Sequence, residues 1–381
     1  MTTQTSPPTT GRTALTGVRV FDGQELSAPR TVVIDGSVIG TDPAGARIVD
    51  AGGAVLLPGL IDAHIHLNGL DTLEQLCSWG VTTGLDMATW PPALVSSLRG
   101  VDGLTDIRSP GIPVIGPAGP HAHFGMPAEA VVPDWEAAGR FVSARVVEGA
   151  DYIKIVLEAP GDGGPDPVVA GAVVEAAHRH GKPVVAHASS RGAYALALEA
   201  GADIVTHIPN GEPLGDDMVA RMLAGRRVAV PPLSMMQALA ALHGSADAFA
   251  AASDSVAALY RAGVPVLAGT DAALQPGLPQ LVVHGESLHH ELELLVAAGL
   301  STVDALRAAT VLPARHFGLG DRGAVEPGLR ADLVLVDDDP LTDIRATRTI
   351  ERIWCGGVEH TPAPALRSTT PPAATDRTTS A

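Results

Sequence analysis

The chain has few of the residues that mark several common protein classes. It contains only two cysteines, Cys77 and Cys355, far apart in sequence, which argues against a disulfide framework and leaves no CxxC motif. We expect both to be buried small apolar side chains. No stretch approaches the roughly 18 consecutive apolar residues of a membrane span. The net charge is −17 and no cluster of Lys and Arg occurs, which argues against nucleic acid or an anionic membrane as partner.

The composition favours a large protein built from many short elements. Of the 381 residues, 46% are hydrophobic, which is enough for a substantial core, and 42 Gly and 31 Pro supply turns. Residues 1–11 and 361–381 are rich in Thr, Pro, Ser and Ala, and we expect both to be disordered tails. The N-terminal residues include no basic segment followed by an apolar one, so we expect a soluble cytoplasmic protein.

Short strands are predicted near both ends of the chain. Residues 12–57 contain five candidate strands separated by turns such as Asp22-Gly23 and Asp35-Gly36. They are Leu15–Phe21, Thr31–Ile34, Ser37–Ile39, Arg47–Asp50 and Ala54–Leu57. Further strands follow in residues 324–360, at Ala324–Gly328, Ala331–Val336 and Ile350–Cys355. We expect the two segments to pair as one small β-sandwich subdomain.

Between them, residues 58–323 alternate apolar runs with Ala- and Leu-rich helical stretches. This alternation predicts an α/β fold with a parallel sheet, and eight repeats have the size of a (β/α)8 TIM barrel. The eight runs are Ile61–Leu67, Thr82–Met87, Pro113–Gly116, Tyr152–Leu157, Pro183–Ala188, Ile204–Ile208, Val228–Pro231 and Val264–Gly269. An open doubly wound sheet is the alternative, but no GxGxxG fingerprint supports it.

Titratable side chains lie in or at the ends of these runs, where a barrel carries its active site. Residues i and i+2 of a strand share a face, so His64 and His66 are predicted to aim two imidazoles at one point. Later runs contribute one residue each: Lys154, His187, His207 and Asp271. A helix N-cap is the other interpretation of Asp271, and the two roles are compatible.

Lys154 is the most diagnostic of these residues. A lysine inside an apolar strand is costly unless it is paired or neutralised, and burial favours a neutral, reactive amine. Such an amine can form a carbamate with CO2, an anionic ligand able to bridge two metal ions. The alternative is a side chain that reaches past the strand end to water, but the neighbouring histidines and aspartate favour the carbamate.

Two further His-x-His pairs occur in the chain. His178 and His180 lie in a helical stretch, where residues i and i+2 face different sides, so we do not expect a ligand pair there. His121 and His123 lie in a Gly/Pro-rich loop after the third run, and such loops line barrel sites. They are candidates for substrate contact, or else two exposed loop histidines.

The ordered set of these motifs resembles the amidohydrolase superfamily, and more narrowly its imidazolonepropionase/prolidase-like branch. The resemblance covers roughly residues 12 to 358. The segments that carry it are Pro58-Gly59-Leu60-Ile61-Asp62-Ala63-His64-Ile65-His66, Gly149-Ala150-Asp151-Tyr152-Ile153-Lys154, Gly201-Ala202-Asp203-Ile204-Val205-Thr206-His207, Gly269-Thr270-Asp271, Ala308-Ala309-Thr310 with Pro313-Ala314, and Gly328-Leu329-Arg330-Ala331-Asp332-Leu333-Val334.

The resemblance implies a metal-dependent hydrolase with two divalent ions, usually zinc. His64, His66 and Asp271 would hold the more buried ion, and His187 and His207 the more exposed one. A carboxylated Lys154 and a hydroxide would bridge the two ions. Two metals can activate a water and polarise a carbonyl together, and Asp271 is placed to act as general base and then acid.

The substrate is less clear from the sequence. Candidate pocket residues are His121, His123, Trp90, Met235 and Arg191, with Phe124, Asn210 and Met236 as further loop candidates. Arg191 would clamp a substrate carboxylate or would be a solvated arginine. The few tyrosines match no prolidase-like position after strands 5 to 7, which disfavours a strict dipeptidase.

We expect cleavage of an amide C–N bond in a small molecule, such as an N-acyl amino acid, a dipeptide or an aryl amide. The same site would also serve a lactonase, another ester hydrolase or a cyclic amidase. A non-enzymatic assembly protein is disfavoured, because every ligand type is retained. A homo-oligomer is possible.

Overall fold

The computed structural model describes residues 11–209, 211–274 and 280–363. The two segments predicted as disordered tails lie outside the described residues, apart from residue 11 and residues 361–363. Within the described part of the chain, every helix is too short or too polar to cross a bilayer.

Strands from both ends of the chain pair in one eight-stranded sheet. Its strands are β1 Thr13–Val20, β2 Arg30–Asp35, β3 Val38–Gly40, β4 Arg47–Asp50, β5 Val55–Pro58, β13 Leu333–Val336, β14 Ile350–Cys355 and β15 Val358–His360. They lie in the order β15-β14-β13-β5-β1-β2-β3, with β4 paired to β1. The two ends meet where β5 runs antiparallel to β13, with Leu57 opposite Val334. A separate apolar cluster, which includes Leu15, Leu56 and Trp354, packs on this sheet.

The segment Ala324–Gly328, which the sequence predicts as a strand, is not one. Pro327 and Gly328 lie in a turn, and Gly328 has a φ of +89°. Proline has no N–H for a strand ladder and a positive φ favours glycine, so the chain turns here before β13 begins. The sandwich form of the subdomain and its boundaries stay predictions.

The middle of the chain forms two parallel sheets with helices between the strands, so the fold is mixed α/β. One sheet has the order β6-β7-β8 and the other the order β12-β11-β10-β9. Their strands are β6 Leu60–Ile65, β7 Val81–Asp86, β8 Asp106–Arg108, β9 Ile153–Val156, β10 Val184–His187, β11 Ile204–Thr206 and β12 Val228–Val230. Isolated parallel bridges adjoin these sheets at Val114–Ile155, Ala229–Val266 and Ile65–Ala272.

Two of the eight predicted strands differ from the observed ones. Residues 113–116 and 264–269 form isolated bridges, at Val114, Ile115 and Val266, rather than strands. Pro113 and Pro265 lie in these segments and cannot donate to a ladder. β7 pairs with β6 on one side and with β8, at Asp106–Arg108, on the other. β8 was not predicted, because it lacks the apolar run by which the other strands were recognised.

The helices connect and cover the parallel strands. The α-helices are α1 Leu70–Ser78, α2 Pro92–Leu98, α3 Trp135–Val147, α4 Pro167–Arg179, α5 Arg191–Ala200, α6 Asp216–Ala224, α7 Leu233–Leu242, α8 Ala246–Arg261, α9 Glu286–Ala297, α10 Thr302–Ala308 and α11 Val311–His316. Three 3-10 helices span Pro120–His123, Ala128–Ala130 and Ile344–Arg348. The largest apolar cluster contains residues from both the strands and the helices, such as Ile153 on β9, Val173 on α4 and Leu196 on α5.

A buried arginine ties the returning chain to the parallel strands. Arg322 follows α11, and its side chain is only 4% exposed. It lies 2.8 Å from the carboxylate of Asp106 on β8 and donates to the hydroxyl of Thr83 on β7 at 2.9 Å. Asp332, directly before β13, lies 3.9 Å away and is also buried. The guanidinium of Arg322 therefore lies between two carboxylates, one on a parallel strand and one at the start of β13, which also pair with Arg108 and Arg330.

We expect Arg322→Met to lower the free energy of unfolding by about 2 kcal/mol, because Asp106 and Asp332 each lose one of the two guanidinium groups that lie beside them. Urea denaturation followed by circular dichroism measures the change. Arg345→Met is the matched control, because Arg345 is 73% exposed and pairs with Asp343 at the surface. Equal effects of the two substitutions would contradict the role of Arg322.

Candidate metal centre

Four parallel strands deliver polar side chains to one place at their carboxyl ends. His64 lies on β6 and His66 directly after it, Lys154 lies on β9, and His187 ends β10. His207 follows β11 by one residue. Tyr152, Val185 and Ile204 form part of the apolar cluster beneath, and Lys154, His187 and Thr206 lie two residues further along the same strands. The alternation of a strand therefore turns these polar residues toward the same interior.

Asp271 is the centre of the cluster. One of its oxygens, Oδ1, lies 3.0 Å from Nε2 of His64 and 3.2 Å from Nε2 of His66. Its other oxygen, Oδ2, lies 3.8 Å from Nε2 of His207. Ligand atoms from His64, His66 and Asp271 all lie within 4.8 Å of one another. These three residues have the spacing and chemistry to hold one metal ion.

His187 and His207 extend the cluster on one side. Their ring centroids are 4.1 Å apart, and the ring of His207 is 5.0 Å from that of His64. The ring of His121, in the 3-10 helix after the third predicted strand, lies 4.7 Å from that of His187. The chain thus brings a row of four imidazoles together at one end of its parallel strands.

The backbone turns sharply at two of these residues. His207 has a φ of +69° and Asp271 a φ of +59°, in the left-handed region that side chains other than glycine rarely adopt. Arg226 is the third residue other than glycine with a positive φ in the described part of the chain. Such strain concentrates at functional sites, where the surrounding structure must hold it.

Lys154 reaches the same interior with its amine unpaired. Its side chain is buried, and Nζ has no hydrogen-bond partner among the described residues. Burial lowers the pKa of Lys154 to about 7, although Asp271 and Asp86 oppose the shift. A large fraction of the amine is therefore neutral at neutral pH, as the sequence predicts for a lysine in an apolar strand.

Three of the imidazoles are held neutral, whereas burial of His66 is outweighed by its contact with the Asp271 carboxylate, which raises the pKa of His66. Burial lowers the pKa of His64 to about 4, and burial together with neighbouring histidines puts the pKa values of His187 and His207 well below the usual range. Burial opposes ionisation of Asp271, but the nearby His64 and His207 hold its pKa well below the usual range. The site therefore offers neutral nitrogen donors at His64, His187 and His207 and one carboxylate, a donor set that suits a divalent metal.

Hydrogen bonds behind the histidines fix which ring nitrogen is free. The hydroxyl of Thr206 donates to the carbonyl of Val230 at 3.1 Å, so it accepts from Nδ1 of His64 at 2.6 Å. Nδ1 of His66 faces the carbonyl of Ala88 at 3.3 Å and must also be the donor. Both rings then direct Nε2 at the Asp271 carboxylate, and in the neutral His64 that nitrogen is bare.

This arrangement fits a bound cation. Two lone-pair atoms at 3.0 Å, Nε2 of His64 and Oδ1 of Asp271, repel each other unless a positive charge lies with them. Protonation of His64 is disfavoured by its burial, which leaves a metal ion as the group that satisfies both atoms. Nε2 of His66 lies 3.2 Å from the same oxygen, and there either a proton or a metal ion satisfies the pair, because Asp271 raises the pKa of His66.

Asp62 and Gly269 support His64, and neither was singled out from the sequence. The buried Asp62 carboxylate accepts from the backbone N–H of His64 at 3.1 Å and from the Thr270 hydroxyl at 2.7 Å. A Cβ at Gly269 would lie 2.9 Å from the Cβ of His64, so only glycine fits. The available signals were a carboxylate inside an apolar run and a glycine two residues before Asp271.

The structure places some of the predicted substrate residues at the site and others away from it. His121 lies there, and its Nδ1 is 3.6 Å from the carboxylate of Glu158, a residue that the sequence analysis missed. His123 and Phe124 are exposed, and Arg191 pairs with Glu212 at 3.0 Å at the surface. Trp90 packs against the main apolar cluster, Met235 is half-buried on α7, and Met236 is buried there. Asn210 lies outside the described residues.

Comparison with known proteins assigns the chain to a family. Residues 116–361, well over half of the chain, match the amidohydrolase family. The chain belongs to the amidohydrolase family. The superfamily resemblance of the sequence motifs is thereby confirmed.

Individual relatives agree with this assignment. The chain is 30% identical to adenine deaminase 2 of Rhizobium meliloti (strain 1021) over 323 residues, which cover 80% of this chain and 48% of that protein. The chain spans about half the length of the adenine deaminases at the head of its curated relatives.

Two solved structures share the fold along most of the chain. A putative prolidase from Bifidobacterium longum is 26% identical with a TM-score of 0.79, over 94% of this chain and 97% of that one. A Xaa-Pro dipeptidase crystallised with methionine in its active site is 22% identical with a TM-score of 0.79, over 92% and 99% of the two chains.

We expect Thr206→Val to weaken metal binding by about 10–100-fold, because Nδ1 of His64 loses the acceptor that fixes its tautomer. Competition with a chromophoric chelator measures the affinity. Thr16→Val, a half-buried threonine of β1, is the matched control and should leave it unchanged. Unchanged affinity in a folded Thr206→Val protein would contradict this role for the hydroxyl.

Proposed function

We propose that the chain is a metal-dependent hydrolase of carbon–nitrogen bonds in small molecules, and specifically of an amide bond. The observation that supports this most strongly is the contact of Nε2 of His64 and of His66 with the Asp271 carboxylate, together with the buried, unpaired amine of Lys154 on β9. Membership of the amidohydrolase family supports the same class of reaction.

The proposed ligands fall into two groups that share Lys154. His64, His66 and Asp271 would hold one divalent ion, and His187 and His207 a second, with zinc favoured by imidazole donors. The bridges at Val114, Val266 and Ala272 support a closed eight-stranded barrel around this site. Bound ions would polarise a substrate carbonyl and lower the pKa of a water molecule, and the remaining chemistry falls to the side chains.

Lys154 becomes a ligand only after it is carboxylated. The neutral amine attacks the carbon of CO2, an N–C bond forms, one C=O electron pair moves to oxygen, and the nitrogen releases a proton. The product is an anionic carbamate with two oxygens, which satisfies the buried nitrogen and supplies negative charge among neutral imidazoles. The burial and missing hydrogen-bond partner of Nζ support this modification.

Asp271 is proposed to move the proton in the reaction. Its carboxylate is anionic and lies at the centre of the cluster, so Oδ2 can accept a proton from the attacking water. The same oxygen can then deliver that proton to the departing nitrogen. The surrounding structure must hold the strained backbone of Asp271, and this keeps its carboxylate in place for both steps.

His121 and Glu158 are the side chains best placed to contact the substrate. His121 lies beside His187, on the side of the cluster away from His64, and Glu158 lies 3.6 Å from it. Arg191 is half exposed and paired with Glu212, which disfavours it as a carboxylate clamp. A lactonase, another ester hydrolase or a cyclic amidase is the alternative function, because the same groups would serve an ester or a cyclic amide.

We expect metal-loaded protein to hydrolyse at least one amide in a panel of N-acyl amino acids, dipeptides, aryl amides and lactones. Asp271→Asn should lower the turnover of that substrate by about 10²–10⁴-fold, because it removes the proton acceptor. Asp247→Asn, an exposed residue of α8, is the matched control. Turnover of lactones alone would favour the alternative, and unchanged turnover by Asp271→Asn would contradict the mechanism.

The carbamate has a direct spectroscopic test, because Lys154 and Lys182 are the only two lysines of the 381 residues. We expect a carbamate carbon resonance in 13C NMR spectra of metal-loaded protein incubated with 13C-bicarbonate. Lys154→Met should abolish the signal, and Lys182→Met should keep it. A signal that follows Lys182, or no signal in the unmodified sequence, would contradict the assignment.

A further inference from the structure

The two cysteines contact each other where α1 packs beside β14 of the eight-stranded sheet. Cys77 is on α1, which follows the strand that carries His64, and Cys355 ends β14. Their Sγ atoms are 2.8 Å apart although the residues are 278 positions apart in sequence. Both side chains are buried, as expected from the sequence, in a small cluster with Ile353.

A histidine completes this cluster. His360 on β15 places a ring nitrogen within 4.8 Å of both sulfur atoms. Its Nε2 is buried and has no hydrogen-bond partner among the described residues, while the residue as a whole is partly exposed. A hydrogen bond from the Cys355 thiol and the proximity of His360 lower the pKa of Cys77, although burial opposes the shift. Burial raises the pKa of Cys355, so the two thiols differ in character.

The spacing favours a sulfur–sulfur bond over a metal site. Two thiolates on one tetrahedral zinc, each about 2.3 Å from it, would be about 3.8 Å apart. The observed separation of 2.8 Å is well below that value. Zinc would also need a fourth donor, and the described residues close to this group are Cys77, Cys355 and His360 alone.

We propose that Cys77 and Cys355 form a reversible intramolecular disulfide when the protein meets a peroxide, with Cys77 as the attacking thiolate and Cys355 as the resolving thiol. Cys77 sulfur attacks one peroxide oxygen, the O–O bond breaks, and Cys77 becomes a sulfenic acid as hydroxide leaves. Cys355 sulfur then attacks Cys77 sulfur, the S–S bond forms, and water leaves with the thiol proton. The two sulfurs lose two electrons, and the peroxide gains them.

The bond would join two parts of the chain that otherwise only pack together. It would fix β14, from the sheet built by both chain ends, to α1, the helix that directly follows the His64 strand. The partly exposed His360 beside the pair gives a small oxidant a route to an otherwise buried sulfur. The reaction uses none of the proposed metal ligands, so it is independent of the proposed activity.

The test uses the full-length, metal-loaded protein and a few equivalents of hydrogen peroxide. Remaining thiols are blocked with N-ethylmaleimide and counted after unfolding, and the unreduced protein is digested and mapped by mass spectrometry. We expect both thiols to disappear together, a Cys77–Cys355 cross-linked peptide in the monomer, and full recovery with dithiothreitol. The Cys77–Cys355 cross-link should form at least tenfold faster in the folded protein than in the same chain in urea, because only the fold brings the two sulfurs together.

Cys77→Ser and Cys355→Ser serve as controls that cannot form the internal bond. Cys355→Ser should stop at the sulfenic acid or proceed to over-oxidised Cys77. The proposal is overturned if both thiols survive treatment of the folded protein, if Cys77 is over-oxidised while Cys355 stays free, or if the urea-unfolded chain cross-links as fast. It is also overturned if added zinc binds the pair and prevents its oxidation.

Discussion

The burial of an unpaired lysine amine is the constraint on which the centre of this structure depends. Lys154 is buried on β9, and its amine has no hydrogen-bond partner among the described residues. A charged ammonium there would be costly, so the amine must be neutralised or modified. The neighbouring imidazoles obey the same constraint, and Asp271 is the carboxylate that they face. Burial disfavours the charged forms of Lys154, His64, His187 and His207, and neutral nitrogen atoms can bind a cation.

The rest of the fold holds this arrangement in place. Thr206 fixes the tautomer of His64, and Asp62 fixes its backbone through the His64 N–H. Gly269 leaves room for His64 where any other residue would collide with it. His207 and Asp271 adopt strained backbone conformations that their strands must support. The stability of the strands therefore offsets the strain at the site, and the buried Arg322 joins those strands to the chain that returns to the outer sheet.

Much of the site could be predicted because its residues interrupt apolar runs. A histidine or lysine at the end of a strand-like run is visible in the sequence, and the alternation of strands then sets its direction. The supporting residues were harder to recognise, because Thr206 and Asp62 act through hydrogen bonds made only in the folded chain. β8 lacked an apolar run, and two expected strands that contain a proline form isolated bridges instead. The substrate residues were least predictable, since loop positions follow no period and Arg191 found a partner in Glu212.

The contact between Cys77 and Cys355 also could not be predicted from the sequence. Their burial followed from residue type, but a separation of 278 positions gave no sign that the sulfurs would touch. It arises because β13 returns to pair with β5, which places β14 beside α1. Long-range pairing of this kind is a property of topology and not of any local pattern.

The most direct test of the account is the number of metal ions per chain. Protein prepared with zinc and bicarbonate should contain close to two zinc ions per chain by plasma mass spectrometry, as a shared two-metal site requires. Lys154→Ala should lower that number, while Lys182→Ala should leave it unchanged. A ratio near zero with every histidine intact, or two ions retained in Lys154→Ala, would contradict the central claim that Lys154 joins two metal ions.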